Sequence, residues 1–117
     1  MFNSEKSNRK AGFEISEEVI ASIAVNAAKE VEGVSGFSNH PKNLKNFMKI
    51  SDGNLKYAEI ELTETDVSVH IYVNVLSGTR IPDMAQQVQD NIRLAVQSMT
   101  GITVNDVEVT VCSVDFE

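Results

Sequence analysis

Between Ile81 and Met99 the apolar residues Ile81, Met84, Ala85, Val88, Ile92, Ala95, Val96 and Met99 recur at steps of 3, 1, 3, 4, 3, 1 and 3. Only an α-helix gathers positions so spaced onto one face, so the pattern predicts a helix to Thr100 with a single long apolar stripe. Pro82 and Asp83 suit its first turn, where a missing N–H costs nothing and the positive end of the helix dipole favours a carboxylate. Gly101 stands where the chain needs a left-handed residue to stop. A stripe of this length has to be covered. With 117 residues the chain is one domain, and folding removes about two-thirds of its unfolded surface from water.

What covers the stripe is written in two other periods. Ser16 is an N-cap acceptor followed by Glu17 and Glu18, and Val19, Ile20, Ile23, Ala24, Ala27 and Val31 continue at helical spacing, predicting a first helix over about 16–31 ended by Gly33. Its alanines at 21, 24, 27 and 28 are short enough for another backbone to approach closely. Strict alternation then predicts strands over Tyr57–Thr63, with Ala58, Ile60 and Leu62 inward, and over Val67–Val75, with Val67, Val69, Ile71, Val73 and Val75 inward. Pairing buried with buried residues sets Leu62 opposite Val67, Ile60 opposite Val69 and Glu59 opposite His70, with Thr63-Glu64-Thr65-Asp66 as the turn. Thr103–Phe116 is a last strand in which the inward parity changes after Cys112, the mark of a bulge or of an edge buried on both faces. Gly12–Ile15 is a candidate short extra strand. The expected architecture is a two-layer α+β domain, order α-β-β-α-β, with a mixed sheet of about three to four strands covered by two helices. A right-handed crossover through the second helix is expected to leave the flanking strands parallel or nearly adjacent, while the hairpin is antiparallel.

Charge divides the chain unevenly. Seventeen acidic against ten basic residues give a net charge of −7, which disfavours sequence-independent nucleic-acid binding, since such proteins present a basic stripe. The exception is residues 38–56, where Lys42, Lys45, Lys49 and Lys56 stand against Asp52 alone. This stretch reads as a basic loop whose Leu44, Phe47, Met48 and Ile50 would form a turn or two of helix on docking. Lys42, Lys45, Phe47 and Lys49 are candidate contacts for an anionic surface or an acidic partner. Residues 1–10 read as a flexible polar tail. One cysteine excludes an intramolecular disulfide, and the absence of a secretory leader or of a long apolar run leads to the expectation of a cytoplasmic protein that does not itself span a membrane.

Chemistry-bearing motifs are scarce. His40 and His70 lie on different elements with no ligand at metal spacing, so no metal is expected. Cys112 sits among acidic residues, which raise a thiol pKa, and reads as a small buried hydrophobe. Glu59 and Glu61 share a solvent-facing strand face with no apolar pocket to make either a catalytic acid. Phosphate-binding and nucleotide-binding loops and a nucleophile elbow are absent. Gly33-Val34-Ser35-Gly36 matches the Gly-x-x-Gly of nucleic-acid-binding KH domains, but its neighbours Glu30 and Glu32 are acidic, and a helix stop followed by a turn explains both glycines. No catalytic residue and no cofactor are assigned.

Several blocks carry a family resemblance: Glu-Ile-Ser-Glu-Glu-Val-Ile (14–20), Ile-Ala (23–24), Ala-Ala-Lys-Glu-Val-Glu-Gly-Val (27–34), Ser-Gly-Thr-Arg-Ile-Pro (77–82) and Met-Thr-Gly-Ile-Thr-Val-Asn-Asp-Val-Glu-Val-Thr-Val (99–111). In this order the chain resembles the alkaline-shock-protein family of envelope stress response proteins of Gram-positive bacteria, over residues 12–37 and 57–116. Residues 38–56 are longer and more basic than that pattern. The resemblance implies a small cytoplasmic protein without enzymatic activity, concerned with cell-envelope homeostasis. In some members the protein is held near the membrane by a separate anchor protein, and others are tied to fatty-acid metabolism.

The resulting expectation is a scaffold or interaction protein that self-associates and binds a membrane-bound or lipid-metabolic protein partner. The polar sheet face, Tyr57, Glu59, Glu61, His70, Tyr72 and Asn74, with the exposed strand edge, is the candidate contact surface. The alternative is a KH-like RNA-binding module built on Gly33–Gly36 and the lysine loop, and a third reading is an enzyme using Cys112 or His70.

Overall fold

The computed structural model describes residues 15–39 and 53–116. The tail over residues 1–10, most of the candidate strand at Gly12–Ile15, and the contacts Lys42, Lys45, Phe47 and Lys49 lie outside the described residues; Ile15 belongs to no strand. The elements, in chain order, are α1 (Glu17–Lys29), β1 (Val34–Phe37), a 3₁₀ turn (Gly53–Lys56), β2 (Ala58–Leu62), β3 (Asp66–Leu76), α2 (Ile81–Thr100) and β4 (Thr103–Asp115).

The expected α+β domain with a mixed sheet is the observed one. Strand β3 lies at its centre. It pairs in parallel with β4 along its whole length and antiparallel with β2 through Ala58↔Ile71, Glu59↔His70, Ile60↔Val69 and Leu62↔Val67, the expected register. The difference is β1, which sequence reading passes over as a turn. It pairs antiparallel with the far end of β3, Val34↔Val75 and Phe37↔Val73, with Ser35 as an extra residue. Four residues with a glycine inside and an irregular register leave no alternation to detect. The order is therefore α-β-β-β-α-β, and β1 and β2 follow one another along one edge of β3 while β4 takes the other.

Both helices pack on one face. Val67, Val69, Ile71, Val73 and Val75 of β3 are each at most 1% exposed and meet Ile20, Ala21, Ala24 and Ala28 of α1 and Met84, Val88, Ile92 and Val96 of α2. Small residues on α1 let it sit close to the sheet, as their spacing indicates. Ser16 caps α1, its Oγ accepting from Val19 N at 3.2 Å. The stripe of α2 is narrower than expected: positions 84, 88, 92 and 96 face the sheet, whereas Ile81 and Met99 are exposed. Met99 instead lines the open groove between α2 and α1.

Two glycines show what the turns demand. Gly33 has φ +103°, and a Cβ there would stand 2.7 Å from Thr79 Cγ2, because the β1 entry crosses the β3–α2 loop. Gly101 has φ +76° with open space around it. Gly101→Ala is expected to lower unfolding stability by about 1 kcal/mol, the cost of a left-handed non-glycine residue. Gly33→Ala is expected to lose about 3 kcal/mol, since steric crowding adds to the backbone term. Urea midpoints of the two variants at equal slope measure the difference.

Candidate functional site

Among the described residues the surfaces that bear on binding are the sheet face away from the helices, the outer edge of β4, and a groove between the helices.

The outer sheet face is built by the residues that alternate with the core. Glu59, His70 and Asn74 are half-buried there and Glu61 is exposed, while Tyr57, just before β2, packs against Phe37 with ring centroids 5.6 Å apart. At the centre His70 stacks on Tyr72 at 4.4 Å. Its Nε2 lies 2.7 Å from Thr110 Oγ1, and its Nδ1 is 3.3 Å from both Tyr72 Oη and Glu108 Oε1. Thr110 and Glu108 come from β4, the parallel neighbour, where His70 pairs with Glu108 and Tyr72 with Thr110. Register with β2 places Glu59 opposite His70 as expected, but the His70 contacts to β4 are ones that sequence reading misses. Tyr72, expected as an exposed contact, is only 8% exposed, because the imidazole covers its ring. Asn74 ties down the end of β1, its Oδ1 accepting from Ser38 Oγ at 2.7 Å and its Nδ2 donating to Phe37 O at 3.4 Å. Glu59, Glu61, Ser68, Val69, His70, Asp106 and Glu108 line a shallow depression of about 170 Å³, which makes this end of the face acidic. Among the described residues, no group of three or more His, Cys, Asp and Glu is placed to hold a metal ion.

The edge of β4 is divided in two. Over its first half, polar side chains of α2 reach the backbone: Gln97 Oε1 accepts from Val104 N at 3.1 Å, Arg93 Nη1 donates to Val104 O, and Gln89 Nε2 donates to Val107 O at 3.0 Å. These bonds satisfy main-chain groups that an edge strand otherwise leaves open. A bulge at Asn105 resets the alternation, so Val107, Val109 and Val111 direct their main-chain N–H and C=O away from β3. Past Val107 no strand of the described residues pairs with this edge. A second bulge falls at Cys112, accounting for the parity change. Cys112 itself is exposed and not the buried hydrophobe expected of it, since the bulge takes it out of alternation. Val114 and Phe116 are 45% and 80% exposed.

The groove lies on the far side of the helix layer, about 700 Å³, with Val19 and Ile23 on its α1 wall and Leu94, Ala95 and Met99 on its α2 wall. Asn91 Nδ2 donates to Ala27 O at 3.4 Å. From that crossing the groove runs back toward Ile15 on α1 and on toward Met99 on α2, so the helices are antiparallel. Leu94 and Met99 are 68% and 71% exposed. Gly33 and Gly36 build no comparable site: Gly33 stops a helix and Gly36 is in β1, so they do not flank a loop between two helices.

Residues 5–116 match the profile of the alkaline shock protein 23 family, described as having a cell envelope-related function. The chain belongs to this family. It is 31% identical over 106 residues to the uncharacterized protein YqhY of Bacillus subtilis, an overlap of 89% of this chain and 77% of that one. It is 28% identical over 109 residues to the uncharacterized protein Spy1614 of Streptococcus pyogenes, covering 91% and 90%. Among solved structures, a MamM CTD variant matches with a TM-score of 0.51 at 14% identity, over 84% of this chain and 99% of that one. The zinc form of another MamM CTD variant matches at 0.50 and 16%, over 82% and 84%. At such identity the likeness shows the fold alone. No helix among the described residues is long and apolar enough to cross a membrane.

Because Gln97 Oε1 accepts from Val104 N, Gln97→Ala is expected to cost about 1 kcal/mol. It should also speed amide hydrogen exchange at Val104 while leaving Val109 unchanged. Exchange followed residue by residue by NMR reads both.

Proposed function

We propose that this chain is a non-enzymatic interaction domain serving the cell envelope, one that self-associates and presents a polar sheet face to a membrane-bound or lipid-metabolic protein partner. Support for a binding role comes from where its unfilled capacity lies. The described carboxylates and Cys112 lie at surfaces, and among the described residues no enclosed apolar pocket surrounds an acid or a nucleophile as catalysis needs. The family's envelope-related function agrees with this reading.

The observation that carries self-association is the divided edge of β4. Side chains of α2 seal Val104 and Val107, and beyond them the outward main-chain groups of Val109 and Val111 sit beside exposed Val114 and Phe116. A bare apolar edge is an aggregation hazard unless something pairs with it. A second copy supplies the same edge, and antiparallel pairing across a twofold axis closes the interface with no strand left over. The partner surface is then the outer face, with Glu59, Glu61, His70 and Asn74 presented, Tyr72 supporting the His70 ring from beneath and Tyr57 at the margin, and with Lys42, Lys45, Phe47 and Lys49 as a basic accessory contact.

Sedimentation velocity tests self-association. The expected result is a concentration-dependent dimer for the wild type and a monomer for Val111→Pro, which removes an outward N–H, and for Thr110→Lys, with both variants keeping the native circular dichroism spectrum. A wild type that stays monomeric at millimolar concentration sinks the reading. Crosslinking in native cells, followed by separation of membrane from cytosol, tests the partner. Capture of a membrane or lipid-synthesis protein, lost in Glu59→Lys/Glu61→Lys, is expected. Capture of RNA that nuclease abolishes would favour the KH-like alternative.

A further inference from the structure

The open stretch of β4 is short enough to dictate how a second copy sits on it, an inference that rests on the self-association proposed above. Antiparallel strands exchange bonds only between residues whose main-chain groups point at one another. Those of Val107, Val109 and Val111 point outward, and Gln89 Nε2 already stands 3.0 Å from Val107 O. At the other end the bulge at Cys112 reverses the sense. Asp115 O accepts from Ser77 N at 2.8 Å, so Ser113 and Asp115 turn their groups back toward β3 and the loop after it. Between the seal and the bulge, Val109 and Val111 are what β4 offers a second strand.

A twofold axis relates each strand residue to one equally far on the other side of it, and this selects a register. Centring the axis on Val109 sets Val111 against Val107 of the second copy, where the Gln89 side chain is in the way. Centring it on Val111 sets Val109 against Ser113, whose main-chain groups point away. An axis between Cys112 and Ser113 pairs Val111 with Val114, but it sets two bulges against each other, and each bends its strand. An axis at Thr110 pairs Val109 with Val111 and Val111 with Val109, and closes the open groups of both residues in both copies.

We infer that two copies pair with Thr110 on the twofold axis, so that the His70–Thr110 contacts of both chains meet in one outer-face site shared between them. Thr110 Oγ1 lies on that face, 2.7 Å from His70 Nε2. Residues on such an axis form a non-hydrogen-bonded pair with Cα atoms about 4.5 Å apart. The two Thr110 hydroxyls therefore stand side by side, as cross-strand threonines do, and the line from His70 through Thr110 continues into the second copy. Glu108, 3.3 Å from His70 Nδ1, and the acidic depression flank this line once in each chain. The surface that a partner meets is then centred on histidine and threonine with acidic flanks, and a monomer presents half of it.

The experiment is disulfide formation in the full chain, read beside sedimentation velocity. Thr110→Cys/Cys112→Ser is expected to form a covalent dimer under mild oxidation, since Cα atoms about 4.5 Å apart lie within disulfide range. Glu108→Cys/Cys112→Ser, and the wild type through Cys112, place like residues about 14 Å apart along the paired strands. Both are expected to crosslink about tenfold more slowly, being beyond that range. In the wild type, the His70 imidazole resonances should shift on dilution over the same concentrations at which the sedimentation coefficient falls. A dimer that crosslinks through Cys112 and not through Thr110→Cys overturns the register and leaves self-association standing. A dimer whose formation leaves the His70 resonances unmoved overturns the shared site. A wild type that stays monomeric overturns the inference together with the reading it rests on. All three positions are exposed, and circular dichroism of each variant checks that the fold is kept.

Discussion

Everything in the structure leans on β3. It is the one strand bonded on both edges, and every second side chain from Val67 to Val75 is sealed beneath the helices. Because its alternation is strict, a slip of one residue would bring five valine and isoleucine side chains to the outer face and bury His70, Tyr72 and Asn74 in their place. That penalty fixes the register of β2, β1 and β4 together, and through them the place of each surface. The outer face is polar because the inner face is entirely apolar. The two are one constraint seen from two sides.

The same strand explains which parts of the fold can be read from sequence. Alternation in β2 and β3 and the periodicity of α2 are long, regular signals, so strand pairing down to Glu59↔His70 follows from matching buried with buried positions. Strand β1 leaves no such trace. It exists because β2 covers only the first part of β3, leaving Val73–Val75 with unpaired main-chain groups that the chain after α1 is near enough to satisfy. A requirement created by tertiary structure cannot be found in four residues with a glycine among them. The misassignment of Met99 has a related origin: periodicity identifies an apolar helical face, but not whether the sheet, the other helix or solvent lies against it.

For the candidate site, composition of the outer face was legible and its wiring was not. Glu59, Glu61 and His70 stand where alternation puts them, yet His70 makes its contacts to Glu108 and Thr110, on a strand some 40 residues away in sequence. Those contacts depend on the parallel stagger of β4, which two bulges shift, and bulges have weak sequence signatures. Tyr72 is lost to solvent by the same stacking. Gln89, Arg93 and Gln97 look like a solvated helix face in sequence, and only the position of α2 beside β4 turns them into partners for strand backbone.

That conversion carries the most weight for function. A side chain that seals an edge works only as far as it reaches, and the last such bond from α2 falls at Val107 O. Beyond it the strand continues to Asp115 with no described strand on its outer edge and with its inward valines, Val109 and Val111, only half-buried. Ending β4 at Val107 would leave the edge of β3 beyond Val69 without its partner, so β4 runs on to Asp115 opposite Leu76 and carries its own outer edge past the last bond from α2. Continuation beyond the cover is a cost that pairing with a further strand offsets, by bonding the open amides and covering the valines at once. Both halves of β4 complete the sheet on β3, and the half beyond Val107 is the one on which the proposed self-association rests.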